Sequence, residues 1–170
     1  MTKGIRILIV FILVSMIVFS CTYNIVDDRK ESEKVVRDYI NLLYTVKPKK
    51  KTNRNMTLEQ VYTKDVFENL MTESAYHNLW KDQIPLVLSL IVNTNDYCVN
   101  VNKINVNNYR KNNDGTTTYD YNVQLKIFSY LNKNHKEKKI NGKITLKKIR
   151  FKWKVLKDRQ FNLENIILEK

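Results

Sequence analysis

Tyr119-Asp120-Tyr121-Asn122-Val123-Gln124-Leu125-Lys126-Ile127 decides the fold, because apolar and polar side chains alternate through it without a break. Successive side chains of an extended chain point to opposite faces. Tyr119, Tyr121, Val123, Leu125 and Ile127 therefore line a buried face, while Asp120, Asn122, Gln124 and Lys126 meet solvent. A strand with one dry and one wet face is the habit of antiparallel sheets. Asn112-Asn113-Asp114-Gly115 just upstream is a turn signal, so a partner strand must lead into it. Tyr97, Val99 and Val101 begin that strand, with Cys98 buried in it as a small hydrophobe. Ile104 and Val106 fall on the opposite phase, which predicts a bulge near Asn102-Lys103 and a bent strand.

Downstream, Leu131 to Lys138 reads as a polar hairpin tip, after which Ile140, Ile144 and Leu146 resume the alternation. The phase then moves to Ile149, Phe151, Trp153 and Val155. A tight turn near Lys148 to Arg150, separating two strands, accounts for this better than one bulged strand. Phe161 to Leu168 supplies a last short strand or edge segment. Upstream the period is helical. From Glu31 to just before Pro48, Val35, Val36, Tyr39, Ile40 and Leu43 share one face, opposite Glu33, Lys34, Arg37, Asp38 and Asn41. Thr57-Leu58-Glu59-Gln60 is a capping box, predicting a short helix that buries Leu58, Val61, Tyr62, Val66, Phe67 and Leu70. Thr72-Glu73-Ser74 starts another helix through Trp80, Pro85 kinks or breaks it, and Leu86 to Val92 is an apolar segment buried under the sheet. Helices followed by antiparallel strands give an α+β domain: N-terminal helices packed in the concave face of a curved antiparallel sheet.

The first residues differ from the rest. Lys3 and Arg6 precede an apolar run from Ile7 to Phe19, broken only by Ser15. Such a run is shorter than the roughly 20 apolar residues of a spanning helix and matches the core of a secretion signal. Val18-Phe19-Ser20-Cys21 resembles the lipobox of bacterial lipoproteins. The resemblance implies cleavage between Ser20 and Cys21, acylation of Cys21 and attachment to the extracytoplasmic face of the cell membrane. The predicted organisation is then signal peptide 1–20, anchor and tether 21–30, and one domain over 31–170. An uncleaved leader would hold the same domain on the same side. With lipid on Cys21, Cys98 has no disulfide partner.

The helix around Val35-Val36-Arg37-Asp38-Tyr39-Ile40, the segment Tyr62-Thr63-Lys64-Asp65-Val66-Phe67 to Leu70 and the strand Phe151-Lys152-Trp153-Lys154-Val155 together resemble the nuclear-transport-factor-2-like (cystatin-like) superfamily, in particular its small exported Gram-positive members. That resemblance implies a cone-shaped domain whose mouth holds a small ligand, a catalytic site or nothing. It also implies dimerisation through the sheet in many members, and in one subgroup assembly roles in type IV secretion and conjugation machines.

The net charge of +13 becomes +11 once Lys3 and Arg6 leave with the signal. Basic runs place Lys49, Lys50, Lys51, Arg54, Lys133, Lys136, Lys138 and Lys139 as candidate contacts to anionic lipid or anionic wall polymer. Lysine-rich hairpins also protect exposed strand edges, and abundant Lys, Asn, Ile and Tyr fit the coding bias of an AT-rich genome. His77 and His135 have no neighbours at metal or triad spacing. Of the carboxylates open to interior chemistry, Asp65, Asp96 and Asp120, the last points to solvent, and Asp65 with Glu68 reads as exposed helix surface. Gly4, Gly115 and Gly142 are the only glycines, which excludes a phosphate-cradling loop. An exported location argues against nucleic acid as partner. The sequence thus predicts a membrane-anchored surface lipoprotein acting as a non-enzymatic binding module, with no catalytic residue, metal or cofactor. An assembly component of a type IV secretion or conjugation machine is the first alternative, and an enzyme using the cone interior the second.

Overall fold

The computed structural model describes residues 28–46, 62–88, 97–129 and 135–162. Helix α1 covers 28–44, α2 is Lys64–Glu68, α3 is Glu73–Lys81, and a helical turn, α4, covers 84–88. The strands are β1 (Tyr97–Lys111), β2 (Thr116–Ser129), β3 (His135–Ile149) and β4 (Lys152–Gln160), joined as an antiparallel meander in the order β1-β2-β3-β4. This is the α+β arrangement the alternation predicts, a curved open sheet with helices on one face. Ser20, Cys21, Lys49, Lys50, Lys51, Arg54, Asp96, Lys133, the Thr57 to Gln60 capping box, residues 89–92 and residues 163–168 lie outside the described residues.

Helix α1 supplies the centre of the core. Ser32, Val36, Tyr39, Ile40, Leu43 and Tyr44 fall on one face and are buried, because three- and four-residue steps keep returning to the same side. The helix includes Asp28, so residues 28–30, read as tether, are helical. Against α1 lies the dry face of the sheet: Tyr119, Tyr121, Val123, Leu125 and Ile127 of β2, Ile140, Ile144 and Leu146 of β3, and Trp153 and Val155 of β4. Each large side chain withdrawn from water contributes roughly 1.5–3 kcal/mol before the entropy of ordering it is charged.

The sheet bends where its register breaks. One shift lies between Val101 and Lys103, at the predicted bulge, and a second between Asn107 and Arg110, where Asn108 has φ 53°. Gly115, at φ 77°, closes the β1–β2 turn without a Cβ penalty. The β3–β4 turn is Arg150-Phe151, so the two predicted strands form, with the turn at the far end of the Lys148 to Arg150 stretch.

Several expectations change. His135 to Lys138, predicted in a hairpin tip, are paired with β2, His135 facing Phe128. Val66 is 47% exposed rather than buried, because α2 is a five-residue helix with one inward position, taken by Phe67. Ile149 and Phe151 continue the alternation in sequence but lie at the turn and are exposed. The break ahead of α4 falls at Gln83, with φ 56°, leaving Pro85 in the first turn of α4 where its missing N–H costs nothing. β4 ends at Gln160, and Phe161, the predicted start of a last strand, lies in a bend.

Candidate functional site: a carboxylate among tyrosines

β3 and β4 slip by one residue between Thr145 and Leu146: Leu146 faces Val155, while Thr145 faces Lys157. Leu156 is therefore the extra residue, and the phase of β4 inverts beyond it. Trp153 and Val155 point inward before the slip; Asp158, opposite Ile144, and Gln160, opposite Gly142, do so after it. The sheet's dry face thus acquires a carboxylate.

Three elements meet at that group. Tyr39 of α1 donates to Asp158 Oδ2 at 3.1 Å, Tyr121 of β2 donates to Oδ1 at 3.0 Å, and the Gln160 amide donates to Oδ2. Tyr121 crosses β3 to reach β4 because the residue beneath its ring is Gly142, where any Cβ would overlap the ring. Tyr44 faces Tyr121 and Gln160, although its buried hydroxyl meets neither with good hydrogen-bond geometry. Asp158 is half-buried as a residue, yet burial of its carboxyl dominates its ionisation and pushes it up from 3.8 to about 7, against the opposing pull of the Tyr121, Tyr39 and Gln160 donors. The tyrosines respond in kind. Burial, then the nearby Asp158 charge, raises Tyr39 and Tyr121 well above the ordinary tyrosine value.

A cleft of about 210 Å³ opens beside Asp158 between β4 and α3, lined also by Tyr39, Leu79, Asp82 and Lys157. It is smaller than the 300 Å³ or more of ordinary small-molecule pockets. Chemically, the cluster can hold one proton near neutral pH, on the Asp158 carboxyl.

The residues singled out from sequence lie elsewhere. His77 is exposed on α3 beside Glu73, 4.0 Å away. Asp65 and Glu68 are exposed on α2, and Asp120 is on the wet face with Asn108, Arg110 and Lys143. Lys136, Lys138 and Lys139 extend along β3, whose first residues are mostly exposed. Among the described residues no group of His, Cys, Asp and Glu is placed to hold a metal, and no helix is long and apolar enough to cross a membrane. The tyrosine–aspartate cluster is a site sequence reasoning missed.

No family model matches the chain, and no curated protein matches it. Among solved structures, the chain is similar to the solution structure of TraH, a proposed transfer protein from the Gram-positive conjugative plasmid pIP501. The match covers 78% of this chain and 93% of TraH, at 14% sequence identity and a TM-score of 0.53. At that identity the two chains share a fold: helices laid on a curved, open antiparallel sheet.

Proposed function

We propose that the chain is a lipid-anchored interaction module on the extracytoplasmic face of the membrane, serving as an assembly component of a conjugation or type IV secretion machine. Its leader and Cys21 supply the anchor, and Asp28, already part of the folded domain, follows seven residues later, so the domain rides close to the bilayer. The observation that carries the assembly reading is the TraH-like fold, spanning nearly the whole of a protein from a conjugative plasmid. A non-enzymatic role agrees with an interior filled by α1 and with a carboxylate whose two oxygens are taken up by internal donors. The mechanism is then passive: the anchor fixes orientation and raises local concentration, and the exposed surface makes the contacts.

The test is transfer frequency in cells lacking this gene, complemented with wild type or Cys21→Ser. Transfer restored by wild type and lowered at least tenfold with Cys21→Ser is expected. Unchanged transfer on deletion would remove the assembly role.

One observation favours a second reading, an enzyme using the interior: Asp158 titrates near neutrality beside a cleft, as a general base would. That reading requires Asp158→Asn to abolish function while the chain stays folded and membrane-bound.

A further inference from the structure

At the β3–β4 turn the side chains work against the backbone. Arg150 and Phe151 both adopt positive φ, 47° and 66°. Asn-Gly would occupy such a turn without strain, whereas a bulky aromatic in the left-handed region is a costly exception. The ring gains no burial for that cost, since Phe151 is 90% exposed, with Ile149 exposed beside it. Lys147, Lys148, Arg150 and Lys152 surround the pair. Strain retained around an exposed side chain points to a use for that side chain.

The same end of the molecule receives the incoming chain. Lys148 Nζ lies 2.5 Å from Asp28 and 3.6 Å from Glu31, the residues of α1 nearest in sequence to Cys21 among those described with an ion pair. Cys21 precedes Asp28 by seven residues, a distance of at most about 24 Å when fully extended. An anchor at Cys21, or an uncleaved leader, therefore keeps this turn within reach of the bilayer surface.

We propose that the β3–β4 turn is a membrane-contacting wedge: Phe151 and Ile149 enter the interfacial layer of an anionic bilayer, while Lys147, Arg150 and Lys152 meet its acidic head groups. Aromatic rings settle at that depth, and lysine and arginine stems lie along apolar surface while their charges remain in the head-group layer. Lys148, held by Asp28 and Glu31, fixes the hairpin against α1. The wedge rests on the reading of the chain as membrane-anchored. It orients the domain with its other basic end, around Lys136, more than about 40 Å of extended strand away from the lipid.

The test uses the full chain reconstituted in vesicles of phosphatidylcholine with or without phosphatidylglycerol. A polarity-sensitive fluorescent amino acid replaces Phe151 in one sample and Lys136 in another, and chain and vesicles are sedimented together. On anionic vesicles the probe at 151 should shift to the blue and be quenched several-fold more by head-group-proximal spin-labelled lipid than the probe at 136. A probe at 151 that stays aqueous, or matches the one at 136, while the chain sediments with the vesicles would overturn the wedge and leave the anchor standing. A chain that stays in solution would remove the anchor and the wedge with it. Combining Arg150→Asn with Phe151→Gly, residues suited to this backbone, should keep the hairpin formed and abolish the slowing of amide exchange at 147–154 on anionic vesicles; slowing that persists would also refute the wedge.

Discussion

Asp158 couples the stability of the folded chain to pH in an unusual direction. A free aspartate releases its proton near pH 4, whereas Asp158 in the folded protein does so near 7. Between those values the folded chain binds more protons than the unfolded one, so stability falls as pH rises and levels off above about 7. A shift of this size corresponds to a few kcal/mol, about 4 at most. Glu73 and Asp114 are shifted the opposite way, lowered by Lys64 and Thr116 respectively, so their contributions are lost toward acid and do not produce a fall with rising pH. Urea unfolding should therefore show wild type less stable at pH 8 than at pH 5, and Asp158→Asn should remove most of the difference; an unaltered slope would refute the assignment. Gly142→Ala drives a methyl group into the Tyr121 ring and is expected to cost about 2–3 kcal/mol in the same assay. Neither effect was legible beforehand. Alternation counted from Trp153 and Val155 turns Asp158 toward solvent, and only the extra residue at Leu156, set by pairing with β3, turns it inward.

Among the elements, α3 and the β3–β4 hairpin give the clearest tests. Thr72 caps α3 by accepting from the Ala75 amide at 3.2 Å, as the Thr72-Glu73-Ser74 signal predicts. Thr72→Ala should lower the unfolding free energy by about 1 kcal/mol. Replacing Arg150-Phe151 with Asn-Gly relieves two strained residues, so calorimetry should find a gain of about 1–2 kcal/mol. The elements differ in how openly their sequences declare them. The β1 bulge was readable because Val101 and Ile104 sit on opposite phases, and apolar residues report phase. The second irregularity was not, because Asn107 and Asn108 belong equally well to either face. α2 was overestimated because Val66 is apolar but exposed, on a helix too short to bury two sides.

At the scale of the whole molecule, one continuous core joins both layers. Phe67 of α2 meets the rings of Tyr39, Tyr62 and Tyr76, while α1 lies against the strands. Helical and sheet signals should therefore be lost in a single transition, with far-ultraviolet dichroism and the Trp153 environment sharing one midpoint. Phe67→Ala should move both together by about 3–5 kcal/mol. The α+β class was legible from the order of periods, helical before alternating. The cleft was not, since it exists only where α3 meets β4 across long sequence separations. The helical layer also touches the sheet at its two rims. Val46 exchanges both backbone hydrogen bonds with Val99 on β1, and on β4 Val155 donates to Leu70 and accepts from Thr72. Each outermost strand thus spends a rung on its own chain, and β4 adds Lys152, Lys154, Lys157 and Arg159 along its length. Where many copies crowd on one surface, two sheets that meet rim to rim find a closed rung on β1 and repelling charge on β4, both of which work against growth into fibrils.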